Sequence, residues 1–350
     1  MLKNSDLIYS YEEPPGIKRL RRGKGYAYYD PEGALIKNEE EKMRLNALAV
    51  PPSYENVWFC PLPNGHLQAT GYDTKSNKQY FYHQLYRQMQ EAEKYHALNR
   101  FAEKLPKIRR SIDRTLGTMQ DIDKKNVQDK QKILAAMVRV LDRTGIRVGN
   151  EEATKKNHTY GLTTLRKKHF AEEDDKILFQ YEGKGGVEIE RRLNDAKVEK
   201  ILDYCSELPG QSLFQYENEK GEGKTISSQD LNSFIKNLAT DDFSAKDFRT
   251  WRFCCLFTEE ALRQKGRGNK PTLTSVLETI AELTGNTPAI LKKSYIHPGL
   301  LQIVKEGDWQ QLKTDKDIDG LRRYETVFAH YLRTKHARGA LEALKKAQKS

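Results

Sequence analysis

The 350-residue chain has only four cysteines, Cys60, Cys205, Cys254 and Cys255, with no CxxC spacing and two of them adjacent. That pattern excludes a disulfide framework and a cysteine-ligated zinc site, and it fits a reducing compartment. The eight histidines form no HExxH pair and no close set with cysteine or carboxylate, so no metal is expected. Long apolar runs are missing too. The N-terminus has no signal core, and the most apolar stretch, Ile133 to Leu141, is short and broken by Arg139. A soluble, cytoplasmic protein with no membrane association is the expectation. Gly221 to Thr225 resembles a phosphate cradle, but the P-loop spacing needs a glycine where Asn218 stands. It reads as a flexible loop, and no nucleotide cofactor is expected.

What the chain has in excess is positive charge. Sixty Lys plus Arg against 49 Asp plus Glu give a formal net charge of +11, a field that favours polyanions. The basic residues cluster. Lys18, Arg19, Arg21, Arg22 and Lys24 lie between Ile17 and Gly25 with no acid among them, and Arg263, Lys265, Arg267 and Lys270 form a similar run. One such cluster is an ordinary solvated face; several, interleaved with Tyr, Trp and amide side chains, suggest a surface that follows phosphates.

The first ninety residues carry short apolar and aromatic runs at Tyr26–Tyr29, Val57–Cys60, His66–Thr70 and Gln79–Tyr82, separated by turn residues. They read as a small strand-rich domain over residues 1–90. From about Gln84 the composition shifts to Lys, Glu, Gln and Leu at helical spacing, notably Gln131 to Leu141, predicting a mainly helical domain over 91–350. Within it, Ile177–Tyr181 and Val187–Glu190 alternate around Glu182-Gly183-Lys184-Gly185-Gly186, a hairpin signal. Leu213 to Tyr216 adds a short apolar piece, and Ser227 to Asp230 is a capping box opening a helix through Leu238. The expected fold class is α+β: a small β-rich domain, then a larger mainly α-helical one with a short antiparallel sheet.

The informative motifs lie in the second domain. Arg147-Val148-Gly149-Asn150, Tyr160 to Leu165 with His169, Gly183-Lys184-Gly185, Lys246 to Trp251, Asn286-Thr287-Pro288 and Ser294-Tyr295-Ile296-His297-Pro298 follow in one order. With Gly65 to Gly71 and Gln79-Tyr80 in the first domain, the order resembles the poxvirus-type and bacterial type IB DNA topoisomerases over nearly the whole chain. The resemblance implies a tyrosine recombinase and topoisomerase IB-like catalytic domain that relaxes positive and negative supercoils without ATP or metal. Tyr295 would be the nucleophile, forming a 3′-phosphotyrosyl link. Arg147 and Arg249 would clamp the non-bridging oxygens, and Lys184 would protonate the leaving 5′-oxygen. The viral and nuclear members carry histidine where this chain has Asn286, the usual bacterial choice; an amide there would donate to a non-bridging oxygen.

Double-stranded DNA is the implied partner, held by a monomer whose two lobes clamp the duplex in the nucleoid. Lys18, Arg19, Arg21, Arg22, Gln68, Tyr72, Gln79 and Tyr80 are the candidate contacts in the first lobe, with Arg166 and Lys168 in the second. Two other readings compete: a tyrosine site-specific recombinase, and a non-catalytic architectural DNA-binding protein. Recombinases usually place histidine three residues before the second arginine, where this chain has Lys246.

Overall fold

A computed structural model describes residues 7–13, 15–23, 25–118, 130–174, 176–218, 220–268 and 270–347, with side chains through 342. The chain divides into two compact units, residues 1–94 with 344–350 and residues 95–343. The architecture is mixed α+β, with a small sheet first and a mostly helical body after it.

The first unit is built on a five-stranded antiparallel sheet of β1 (Ile17–Arg22), β2 (Gly25–Tyr29), β3 (Glu55–Phe59), β4 (Leu67–Tyr72) and β5 (Lys78–Tyr82), in the order β2-β1-β3-β4-β5. Two elements were not expected. The basic cluster forms β1, an internal strand, and α1 (Glu39–Ala47) is capped by Asn38, whose side chain accepts from the Glu41 N–H. Register decides what each strand residue does, because successive side chains alternate between faces. Ile17, Phe59, Ala69 and Phe81 fall in line and join Tyr28, Leu45 and Val50 in one apolar cluster. Lys18, Trp58, Thr70 and Tyr80 line up on the opposite face.

Among the described residues eleven further α-helices follow: α2 (Gln84–Leu116), α3 (Lys130–Thr144), α4 (Glu151–Asn157), α5 (Ala196–Glu207), α6 (Ser228–Ala239), α7 (Ala245–Gly266), α8 (Leu273–Thr284), α9 (Pro288–Ser294), α10 (Pro298–Glu306), α11 (Arg323–Leu332) and α12 (Lys335–Ala347). The hairpin lies where alternation put it, as β7 (Lys176–Gly183) and β8 (Val187–Leu193), with β6 (Phe170–Glu173) completing a three-stranded sheet. Ser227 and Asp230 cap α6 reciprocally, as their spacing predicted. The segment expected to be a flexible loop is different: Gly223–Thr225 forms β10, paired antiparallel with β9 (Gln215–Glu217). No helix among the described residues is long and apolar enough to cross a membrane.

The second unit's core is aromatic around α7. Phe101 packs edge-on against Phe243 at 5.2 Å and Phe248 at 4.9 Å, and Trp251 lies 5.2 Å from Phe328. All four cysteines are buried, and burial pushes the Cys205 thiol up to about 12.

One ionic knot ties α2, α3 and α11 together. Arg109 makes a two-pronged bridge to Asp142, at 3.0 and 2.7 Å, and another to Glu325, at 2.8 and 2.7 Å, while Arg322 reaches Asp142 at 2.9 Å. Both carboxylates are buried, at 4% and 2% exposure, so removing Arg109 leaves two buried charges to share Arg322 alone. We expect Arg109→Leu to lower unfolding free energy in urea by about 3–5 kcal/mol. Burial raises both acids, but the arginines outweigh it and hold them below their ordinary values. Their contribution is therefore present above the ordinary carboxylate range and is lost as pH falls through the lowered values. The stability difference between the native chain and Arg109→Leu should shrink accordingly in acid.

Candidate active site

Four of the five side chains expected to do chemistry converge. Arg249 enters on the second turn of α7, whose start is fixed by Asp247, accepting from the backbone N–H and hydroxyl of Ser244 at 2.9 Å each. It is only 6% exposed. Its Nε donates to the Tyr295 hydroxyl at 3.1 Å, one terminal nitrogen donates to the Gly145 carbonyl, and the other donates to Asn286 Oδ1 at 3.3 Å. The guanidinium also lies 4.4 Å from the Phe253 ring centre. Burial, with a smaller push from Arg147, lowers its pKa to about 10, so it stays charged at neutral pH.

Arg147 arrives on the segment that leaves α3. That segment is docked by the Leu162 N–H on the Arg147 carbonyl at 2.8 Å and the Thr163 N–H on the Val148 carbonyl at 2.7 Å. The approach needs a glycine, since a Cβ on Gly161 would stand 2.5 Å from the Gly149 nitrogen and 2.7 Å from the Arg147 oxygen. From there Arg147 reaches Asn286 Oδ1 at 3.4 Å.

Tyr295 ends α9, a short helix started by Thr287 and Pro288. Burial alone would raise its pKa, but the cations of Arg249, Arg147 and Lys246, together with the Arg249 hydrogen bond, bring it below the ordinary phenol value. From the sequence, Lys246 stands out only as a departure from the recombinase pattern. A second tyrosine, Tyr181 on β7, carries no sequence signal at all. Burial pushes it up to about 12 although Arg191, Arg249 and Arg147 all pull the other way. Both phenols feel Arg249 and Arg147; Tyr295 has in addition the Arg249 hydrogen bond and the Lys246 charge.

The Asn286 amide, expected to donate outward, is turned around. Its NH₂ group donates to the Thr284 carbonyl at 2.9 Å and hydroxyl at 3.0 Å, and the oxygen faces the two guanidiniums. Two cations in front and two acceptors behind fix that orientation. The same Thr284 carbonyl accepts from Arg191 of β8 at 2.7 Å. A Cβ on the left-handed Gly285 would meet Ile189 at 2.4 Å. The β7–β8 hairpin is thereby clasped to the loop that carries Asn286.

Lys184, the fifth residue, stands apart. It is exposed at the hairpin tip, where Gly185 and Gly186 adopt positive φ, and it makes no hydrogen bond or ion pair among the described residues.

The expected DNA contacts divide. Arg19 and Gln68 are committed inward: Arg19 donates to the carbonyls of Val50 and Pro51 at 2.7 and 3.0 Å, and Gln68, buried, donates to three carbonyls and accepts from Arg44. Strand alternation explains Arg19, which shares the core face with Ile17. Gln79 is tied to Asp73 at 2.9 Å. Lys18, Arg21, Arg22 and Tyr80 are exposed and Tyr72 is half-buried; Lys24 lies outside the described residues. In the second unit, Arg166 lies over the Tyr160 ring at 5.4 Å beside the exposed Lys168. Both line an open pocket of about 490 Å³ with Tyr160 and His169. Burial and those two cations push His169 down to about 4, so it is neutral and accepts from the Arg166 N–H.

Residues 83–317, more than half of the chain, match the family model for the eukaryotic DNA topoisomerase I catalytic core, and residues 25–73 match that for the bacterial DNA topoisomerase IB N-terminal domain. The chain belongs to the type IB DNA topoisomerase family. It is an isomerase by that membership. Among the family's curated members it is similar to DNA topoisomerase 1B of Acanthamoeba polyphaga mimivirus, at 29% identity over 90% of this chain and 96% of that protein. It also resembles DNA topoisomerase I of Monkeypox virus, at 25% identity over 76% and 81% of the two chains. Among solved structures, a XerH site-specific recombinase bound to its palindromic difH substrate aligns with 59% of this chain and 51% of its own, at 19% identity and a TM-score of 0.37.

The electrostatics of the site are checkable in the free protein. Titration followed by tyrosinate absorbance should contain one component below the ordinary phenol range that Tyr295→Phe removes. Arg249→Met should move that component upward, because it removes the nearest cation and leaves the burial. An unchanged titration in Tyr295→Phe would assign the component elsewhere.

Proposed function

We infer that this chain relaxes positive and negative DNA supercoils by nicking one strand through Tyr295, letting the strand rotate, and resealing it. The observation that carries the reading is the Arg249 hydrogen bond to a phenol held below its ordinary pKa, with a second guanidinium beside it. The Tyr295 oxygen loses its proton to solvent and attacks the scissile phosphorus. Arg147 and Arg249 meet the charge that grows on the two non-bridging oxygens, a task suited to planar forks that stay protonated. The 5′-oxygen leaves with a proton from the Lys184 ammonium, giving a 3′-phosphotyrosyl bond and a free 5′-hydroxyl. Resealing runs the same steps backward. The phosphotyrosyl bond retains the free energy of the phosphodiester, so neither ATP nor metal is part of the scheme.

Asn286 takes a different part from an oxyanion donor. With its NH₂ held by Thr284, its oxygen aligns both guanidiniums from behind, and anionic phosphate oxygens, the stronger acceptors, draw the forks forward. Lys184 meets the leaving oxygen only when DNA is bound, which suits its exposed position on a glycine-rich tip clasped at its base by Arg191. The two units together hold the duplex as a monomer, with Lys18, Arg21, Arg22, Tyr72 and Tyr80 from the first and Arg166 and Lys168 from the second.

The deciding experiment mixes the protein with supercoiled plasmid in EDTA without ATP and quenches with SDS. Relaxation and a denaturant-stable adduct are expected, and Tyr295→Phe should abolish both while still binding duplex. An adduct surviving in Tyr295→Phe would overturn the assignment. Lys184→Ala should slow cleavage by roughly 10² to 10⁴. With sulfur replacing the bridging 5′-oxygen, the leaving thiolate needs no proton, so Lys184→Ala should recover while Arg147→Ala and Arg249→Ala stay slow.

The surface cations have their own signature. Arg21→Ala with Arg22→Ala should flatten the logarithmic salt slope of duplex binding by about 0.9 for each phosphate that is no longer neutralised. Arg19→Ala should leave that slope alone and lower the melting temperature instead, because its guanidinium satisfies buried carbonyls.

A further inference from the structure

Beside the ionic knot lies an open pocket of about 340 Å³ that the proposed reaction does not use. Four arginines line it, Arg143, Arg252, Arg322 and Arg323, against two glutamates, Glu259 and Glu325. Arg322 is spent on Asp142 and Glu325, at 2.9 and 3.3 Å, and Glu325 is shared with Arg109. The other three are uncommitted. Arg143 and Arg252 make no hydrogen bond or ion pair among the described residues, and Arg323 only lies over the Tyr324 ring at 5.6 Å. Arg252 is half-buried one helical turn after Arg249 on α7, and both touch Gly145: Arg249 donates to its carbonyl, and the Arg252 stem packs where its Cβ would point, 3.4 Å away. Arg252 lines this pocket, and Arg249 does not.

Clustering cations in a partly desolvated pocket raises the free energy of the empty state. Burial and the Arg322 charge push the Arg143 and Arg252 guanidiniums in the same unfavourable direction. An anion would relieve that cost and supply the missing acceptors. Three unoccupied forks approaching from α3, α7 and α11 suit a phosphoryl group, whose several equivalent oxygens accept from different directions; a carboxylate offers one edge. The volume is at the small end of small-molecule sites, about 300 to 1,000 Å³. We propose that Arg143, Arg252 and Arg323 form a second phosphoryl-binding site, separate from the tyrosine site. Its ligand is either a free polyphosphate or a backbone phosphate projecting from DNA.

The probe is inorganic pyrophosphate, added to the full chain at ionic strength matched with chloride. It should bind, and Arg143→Met with Arg252→Met, which keep the stems and remove the charges, should weaken binding by about tenfold or more. Without the anion this double variant should keep a single cooperative melt, since neither arginine makes a hydrogen bond or ion pair among the described residues and the repulsion from Arg322 is lost together with the attraction to Asp142. Arg147→Met should retain pyrophosphate affinity. No pyrophosphate binding, equal binding by the double variant, or loss only in Arg147→Met would overturn the site. The source is separated by duplex affinity in a Tyr295→Phe background: weaker duplex binding by the double variant identifies a DNA phosphate, and unchanged duplex binding identifies the free ion. The pyrophosphate measurement stands whether or not the chain nicks DNA.

Discussion

A guanidinium at 6% exposure is among the most expensive groups a protein can bury, and it is tolerated only where acceptors meet its donors. Arg249 finds three, and each comes from a different piece of chain: the Gly145 carbonyl at the end of α3, the Asn286 side chain between α8 and α9, and the Tyr295 hydroxyl at the end of α9. The need to satisfy one cation therefore sets the spacing of the whole site. A shift in any of these elements would strand a donor in a place water does not reach. The Phe253 ring covers the guanidinium as well, and it stands 4.9 Å from Tyr295.

The partners that hold Arg147 and Arg249 are neutral oxygens. That choice leaves the forks ordered yet unsaturated in charge, so an arriving phosphate replaces weaker acceptors with stronger ones and does not have to pull the arginines from a carboxylate. The ionic knot nearby follows the opposite rule, pairing Arg109 and Arg322 with Asp142 and Glu325. Within one domain, the arginines that brace the helices have carboxylate partners, and the two that gather around Tyr295 and Asn286 do not. Arg143, Arg252 and Arg323 follow the second rule at a place where no reaction is assigned.

Much of the fold is readable in the chain, and the gaps have physical causes. The β7–β8 hairpin is legible because alternation with a glycine-rich turn has few other solutions, and α6 because its capping box is local. The approach of Arg147, Arg249, Asn286 and Tyr295 is legible only through the order of motifs, since nothing local in an arginine says that it is buried. Arg19 and Gln68 mislead for that reason. A guanidinium or an amide that satisfies backbone carbonyls has the same letter as one that faces solvent, and only strand register tells Arg19 from Lys18. The direction of the Asn286 amide and the placing of Tyr181 among arginines are equally hidden, because both depend on neighbours far away in sequence. The strand at Gly223–Thr225 passes for a loop because its three residues carry no β-type apolar pattern; pairing with β9 makes it a strand.

The four buried thiols have a practical consequence. Cys60, Cys205, Cys254 and Cys255 are each at most 2% exposed, and burial pushes the Cys205 and Cys255 thiols up, so little reactive thiolate is presented to solvent. A cysteine introduced on the surface, at the hairpin tip or on the exposed end of β1, would be the fastest to react with a maleimide dye. Fluorophores could then be attached without first replacing the native cysteines, two of which lie on α7, where Cys254 donates to the Tyr295 carbonyl and a substitution would remove that contact.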